Sequence, residues 1–120
     1  MPVEDGIAAL KPDMTDWRRY LHAHAETAFQ ERETAAFVAA RLREFGIEVH
    51  EGLAGTGVVG TLRNGDGPAI GLRADLDGLP IAEETGLPYA SKHAGRMHAC
   101  GHDGHTAMLL GAARHLAQTR

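Results

Sequence analysis

The sequence has 120 residues, of which 43% are hydrophobic, and a net charge of −4. This length fits one domain and argues against two complete ones. The basic residues are scattered, which argues against nucleic acid or a membrane surface as the main partner. No apolar run approaches the roughly 20 residues that span a bilayer, and the N-terminus shows no signal-peptide pattern. The single cysteine excludes an internal disulfide framework and indicates a cytoplasmic protein.

The N-terminal part of the chain predicts one helix after a loose lead-in. Residues 1–12 show no helical pattern, and Asp13 or Thr15 is a candidate N-cap. Trp17 and the leucine four residues later share one helical face. The pattern therefore predicts a helix over about residues 17–25.

A second and stronger helix pattern follows. Thr27 and Gln30 have the spacing of a capping box. Apolar side chains then recur at helical spacing as far as Phe45. Gly46 stands where a helix often ends in the left-handed conformation, so the helix is predicted to end there.

Beyond Gly46 the hydrophobic period changes from helical to extended. Residues 47–49, 57–62 and 69–75 are predicted strands. Segment 64–68 contains asparagine, glycine and proline, which are typical of a turn. The second and third strands are therefore predicted to form a hairpin.

The last predicted helix has Asp103 as its N-cap and continues to about Ala117. Its predicted apolar stripe consists of Met108, Leu109, Ala112 and Leu116. Helices, strands and a further helix predict an α/β or α+β layer structure with helices packed on a sheet. The sequence ends directly after this helix, where the next strand of an α/β chain would start. We therefore expect these residues to be part of a longer polypeptide chain.

Histidine is concentrated in one short stretch, which also holds the only cysteine. The residues concerned are His93, His98, Cys100, His102 and His105. In an extended segment the side chains at 98, 100 and 102 lie on one side. Thiolate and imidazole are good ligands for zinc and similar metals, so the Cys-x-His pair predicts a metal site. Asp103 is placed to cap the next helix or to orient a histidine.

Other interpretations of these residue types remain open. Cys100 before a helix N-terminus is a candidate nucleophile with a histidine as its base. A closed structural zinc site is less favoured because it needs four protein ligands, usually with paired cysteines. The isolated histidines are interpreted as surface or hydrogen-bonded core residues: His22, His24, His50 and His115.

Two carboxylates follow the third predicted strand. Asp75 and Asp77 stand two residues apart, and so on one side, at the strand end where sites of α/β proteins gather. Carboxylates there can orient metal-bound histidines. An ordinary strand exit, where aspartate is a favoured turn residue, explains them equally well.

Residues 72–83 read LRADLDGLPIAE, and residues 97–113 read MHACGHDGHTAMLLGAA. Both segments resemble those of the metal-dependent amidohydrolases that include hippurate hydrolase and indoleacetyl-amino-acid hydrolases. These enzymes belong to the wider aminoacylase and carboxypeptidase family of dinuclear metallopeptidases. A pattern between residues 17 and 46 is similar too, so the resemblance extends over about residues 15–117.

The resemblance implies an activity and a site. The activity is hydrolysis of the amide bond of N-acyl amino acids, with two divalent metal ions (Mn²⁺, Zn²⁺, Co²⁺ or Ni²⁺) and a glutamate base. Cys100 and His102 are implied metal ligands, and Asp77 is implied to support a metal-binding residue. The remaining polar residues are implied to be supporting or structural: Asp75, His98, Asp103 and His105.

The resemblance also implies what lies outside this sequence. The glutamate pair, two further metal-binding histidines and a smaller lid and dimerisation domain are expected downstream. Residues 1–120 then form the N-terminal portion of a catalytic domain, inactive alone, within a candidate homodimer. The alternatives are a related deacylase, such as an N-acetyl-diaminopimelate deacetylase, and a non-catalytic metal-binding module.

Overall fold

A computed structural model describes residues 2–120. In chain order its elements are α1 (Asp5–Ala8), α2 (Lys11–Ala23), α3 (Arg32–Glu44), β1 (Glu48–Leu53), β2 (Gly57–Thr61) and α4 (His102–Thr119). Mixed helices and strands confirm the predicted α/β class. None of the helices in this part of the chain is long and apolar enough to cross a bilayer.

Helix α2 begins earlier than the sequence pattern predicts. Pro12 lies in its first turn, where a fixed φ and a missing amide hydrogen are tolerated. Asp13 and Thr15 therefore lie inside the helix and do not cap it. The prediction of an irregular lead-in over residues 1–12 is also wrong, because residues 5–8 form α1. Met1 lies outside the described residues.

Helix α3 starts after the predicted capping box, and a carboxylate from outside the helix satisfies its first amides. Glu26 accepts hydrogen bonds from the amides of Glu33 (3.0 Å) and Thr34 (2.7 Å) and from the Thr34 hydroxyl (2.6 Å). Thr27 and Gln30 instead close a turn, with the Gln30 amide 2.9 Å from the Thr27 carbonyl. The predicted end at Gly46, where φ is +77°, is confirmed.

Strands β1 and β2 pair with each other as an antiparallel hairpin, with Glu48 opposite Thr61 and Leu53 opposite Gly57. The third predicted strand is not formed: residues 69–75 have no regular secondary structure. Ile70 is 89% exposed, because no neighbouring strand covers this segment in the described chain. The turn at 64–68 therefore joins no pair of strands, and the predicted hairpin is displaced to β1–β2.

The hydrophobic core lies where α2, α3 and α4 meet the hairpin. Its buried members are Trp17, Val38, Leu42, Ile47, Ala107 and Leu110. The predicted apolar stripe of α4 is wrong, because Met108 and Leu116 are exposed. Helix α4 instead buries a face that includes Asp103 and Thr106. Both polar side chains have hydrogen-bond partners inside the fold, so hydrophobicity alone misplaces this face.

Candidate metal centre

The Cys100–His102 segment bends into α4 at a glycine. Gly101 has φ +87° and directly precedes the first residue of the helix, His102. Left-handed backbone is unfavourable for residues with a Cβ, so glycine permits this bend. Cys100 is exposed as a free thiol, and the His102 side chain is partly exposed. The segment thus presents a thiol and an imidazole within three residues.

The His102 ring is held by Asp77. Its Nδ1 lies 3.0 Å from Asp77 Oδ1 and 2.9 Å from the Asp77 carbonyl oxygen. Both partners are acceptors, so Nδ1 carries the proton and donates. Nε2 is then the nitrogen with a free lone pair, as a metal ligand requires.

Asp77 is positioned by a close approach of three backbone segments. The amide of Gly78 donates to the Glu26 carbonyl (2.7 Å), and Leu79 exchanges two backbone hydrogen bonds with Met97 (2.8 and 2.9 Å). A Cβ at Gly78 would lie 3.1 Å from the Met97 carbonyl oxygen. A side chain at Gly78 would therefore crowd the Met97 backbone, so glycine favours the close approach beside Asp77.

Asp75 is less closely tied to His102 than Asp77. Its Oδ2 lies 3.9 Å from His102 Nε2, while its Oδ1 pairs with Arg73 at 2.5 Å. Its carbonyl oxygen accepts a hydrogen bond from the Thr106 hydroxyl (3.0 Å). Asp75 therefore contacts α4 mainly through its backbone.

Asp103 is buried in the first turn of α4 and is not its N-cap. Its Oδ2 accepts hydrogen bonds from Arg18 Nε (2.9 Å) and His22 Nδ1 (2.8 Å). Burial alone would raise the pKa of Asp103, but hydrogen bonds from His22 and from the Gly104 amide lower it, with a further contribution from the Arg18 guanidinium. Asp103 thus joins the start of α4 to α2 as a buried anion.

Glu83, which the sequence does not mark as a site residue, faces the other side of the His22 ring. Its two oxygens lie 3.0 and 3.1 Å from His22 Nε2, and the Ser91 amide donates to it (2.8 Å). Burial opposes ionisation, but hydrogen bonds from Thr85, Ser91 and His22 prevail and lower the pKa of Glu83 to about 2. The partners of His22 lie 61 and 81 positions away, so no local spacing identifies this set.

His98 and His105 lie near the segment in different environments. His98 is 5% exposed, and neither ring nitrogen has a hydrogen-bond partner. Burial lowers its pKa, although Asp103 acts in the opposite direction. His105 is exposed, with its ring centroid 5.9 Å from that of His102. Of the predicted site residues, Asp77 and His102 are joined by a hydrogen bond. The His105 ring lies near that of His102 without a hydrogen bond between them.

The donor chemistry fits a divalent metal ion in part. The thiol and the oriented imidazole are ligand types that zinc and similar ions prefer. Within residues 2–120, however, no group of three or more His, Cys, Asp or Glu side chains is arranged to hold a metal ion. These residues therefore supply an incomplete ligand set.

Known proteins are similar to this chain in sequence and in fold. Residues 71–120 match the model of peptidase family M20/M25/M40, and this range includes Asp77, Cys100 and His102. The predicted resemblance to the dinuclear metallopeptidases is thereby confirmed.

Three proteins illustrate the similarity. An N-acetyl-L-cysteine deacetylase of Bacillus subtilis is 52% identical over 108 residues, which are 89% of this chain and 26% of that protein. A hippurate hydrolase of Campylobacter jejuni is 51% identical, over 92% of this chain and 29% of its own length. The crystal structure of the Bacillus subtilis YXEP protein, described as a dinuclear metal-binding peptidase of the M20 family, superimposes with a TM-score of 0.88 at 46% identity. The superposition covers 94% of this chain and 32% of the YXEP chain. The chain therefore spans only 26–32% of these proteins.

Proposed function

We propose that this chain is the N-terminal portion of the catalytic domain of a metal-dependent amidohydrolase that cleaves N-acyl amino acids. The similarity to a deacetylase of N-acetyl-L-cysteine and to a hippurate hydrolase supports this activity. Both names denote enzymes that release an acyl group from the nitrogen of an amino acid. An amino acid with a small or aromatic acyl group is therefore the proposed substrate class.

The hydrogen bond between Asp77 and His102 is the observation that carries the proposal. It fixes the proton on Nδ1 and leaves Nε2 for a metal. Cys100, two residues before His102 and exposed, is the second proposed ligand. The likeness to a dinuclear metal-binding peptidase supports two ions per complete enzyme. We propose Mn²⁺, Zn²⁺, Co²⁺ or Ni²⁺ because thiolate and imidazole ligands suit ions of this kind.

Each residue has a separate task in this proposal. Cys100 and His102 would hold metal ions, which would supply Lewis acidity for the hydrolysis of an amide. Cys100 and His102 bind, Asp77 orients His102, and Asp103 anchors the first turn of α4. The remaining ligands and the glutamate base are proposed to lie after Arg120, as is the domain through which such enzymes dimerise.

The test starts from the reading frame beyond Arg120. The protein with its natural continuation is assayed on N-acetyl-L-cysteine and hippurate, after dialysis against a chelator and after return of each metal. We expect metal-dependent hydrolysis of at least one substrate. Residues 1–120 alone are expected to be inactive, because loss of a general base costs roughly 10²–10⁴-fold in rate.

Two results would contradict this proposal. Metal binding without turnover by the complete protein would indicate the alternative, a non-catalytic metal-binding module. Stoichiometric metal and clear turnover in residues 1–120 would show that the segment is itself a complete enzyme. A preference for N-acetyl-diaminopimelate over both substrates would reassign the acyl acceptor and leave the chemistry unchanged.

A further inference from the structure

We propose that His22 is a positioning residue for the Cys100–His102 segment. Its ring holds Glu83 on one side and Asp103 on the other, and so joins three parts of the chain near the candidate ligands. The relevance of this role to metal binding rests on the proposed function. The contacts themselves stand independently of it.

The His22 ring is fully engaged. The residue is 2% exposed, with Nδ1 2.8 Å from Asp103 Oδ2 and Nε2 3.0 Å from Glu83 Oε1. Ionised carboxylates only accept hydrogen bonds, so each ring nitrogen of His22 faces an acceptor. Arg18 adds a second donor at Asp103. Both carboxylates therefore have hydrogen-bond partners inside the fold, as buried polar groups require.

Each carboxylate organises a different segment. Glu83 accepts hydrogen bonds from the Thr85 hydroxyl and the Ser91 amide, so it ties together the loop between residues 78 and 98. Asp103 is the residue after His102 and lies in the first turn of α4. His22 itself belongs to α2. One imidazole therefore fixes the loop and the start of α4 relative to a helix of the core.

This arrangement makes the candidate ligands sensitive to His22 although the ring contacts neither of them. Without His22, a carboxylate on each side loses a hydrogen-bond partner, and leaving a buried polar group without its partner is unfavourable. The loop and the first turn of α4 are then expected to move apart. A displacement of about 0.5 Å is enough to impair a preorganised ligand set.

The first experiment uses the protein with its natural continuation and titrates Co²⁺. Absorption from thiolate to cobalt reports coordination by Cys100. His22→Gln keeps a hydrogen-bond donor and removes the ring that joins the two carboxylates, and we expect the affinity for Co²⁺ to fall about 10–100-fold. Val38→Ala is the matched control, because it truncates a buried core side chain of α3 outside the group. It should lower stability and leave the affinity unchanged.

A double variant separates positioning from simple loss of stability. In the variant that combines His22→Gln with Glu83→Gln, two amides replace the imidazole and its carboxylate partner, so each amide can hydrogen-bond to the other. We expect the double variant to recover part of the Co²⁺ affinity lost in His22→Gln. Additive losses in the two single variants would contradict a shared positioning role.

Hydrogen exchange in the metal-free protein gives a readout without metal. His22→Gln should reduce protection of the Leu79, Met97 and His105 amides at least about tenfold, while amides of the β1–β2 hairpin keep theirs. Unchanged protection, or Co²⁺ affinity and spectrum equal to wild type, would overturn the inference and leave the proposed function standing. If the wild type binds no Co²⁺, the proposed function fails and hydrogen exchange alone decides the inference.

Discussion

The carboxylate of Asp77 and the imidazole of His102 are joined by a 3.0 Å hydrogen bond between residues that lie 25 positions apart. The bond selects one tautomer of the ring and fixes its orientation. In the proposed site, the orientation of the ligand His102 would therefore depend on Asp77, which is not itself a proposed ligand.

Asp77→Asn should lower metal affinity or activity about 10–100-fold, because the amide is a weaker and neutral acceptor for Nδ1. Binding is measured by titration of the metal-free protein with its natural continuation. Asp66→Asn, a change at an exposed turn residue, is the control. An Asp77→Asn protein with unchanged kinetics and metal content would refute the orienting role.

Cys100→Ser should weaken metal binding by more than Asp77→Asn does, because a hydroxyl is a far poorer ligand than a thiolate at neutral pH. Metal content after dialysis and hydrolysis after return of metal are the measurements. Activity that persists after complete removal of metal would instead favour Cys100 as a nucleophile. In that case Cys100→Ser should abolish turnover without changing metal content.

Gly101→Ala should destabilise the chain by about 1–2 kcal/mol, because its left-handed φ of +87° disfavours a Cβ. The helical Gly104 provides a matched control: a Cβ there meets no atom within 4 Å. Gly104→Ala should be neutral or stabilising by about 0.5–1 kcal/mol. Urea unfolding of both variants measures the difference, and equal effects would exclude strain at Gly101 as the cause.

The stability of the chain should decrease in acid through Glu83. Its pKa is about 2 in the folded chain against an ordinary value of 4.5, so the unfolded chain binds more protons between these values. The stabilising contribution is therefore present above about pH 4.5 and is lost as the pH falls toward 2. Glu83→Gln should flatten this part of the pH dependence of the free energy of unfolding. The same change at the exposed neighbour Glu84 should not.

Local patterns predicted the elements that depend on local interactions. The end of α3 at Gly46 and the Cys-Gly-His bend before α4 follow from backbone preferences of single residues. The strand predicted over 69–75 failed because a strand also needs a neighbour, which hydrophobicity cannot supply. The roles of Cys100 and His102 as ligands remain predictions.

Long-range partners explain what the sequence could not show. The sequence analysis interprets His22 as a surface or hydrogen-bonded core residue. The structure agrees, because His22 is buried and hydrogen-bonded. Only the folded chain reveals that His22 joins Glu83 to Asp103, the residue after the candidate ligand His102. Glu26 is a similar case, because a cap eight positions before Thr34 lies outside the spacing of a capping box.

The hydrogen bond from Gly78 to the Glu26 carbonyl has a consequence for the order of folding. It closes a long loop, and the chain entropy lost in such a closure must be offset by contacts made at the same time. The helices and the β1–β2 hairpin need only nearby residues and are expected to form earlier. Pulse-labelling during refolding should therefore show the amides of Gly78, Leu79 and Met97 becoming protected last, so the candidate metal centre is completed after the framework that carries it.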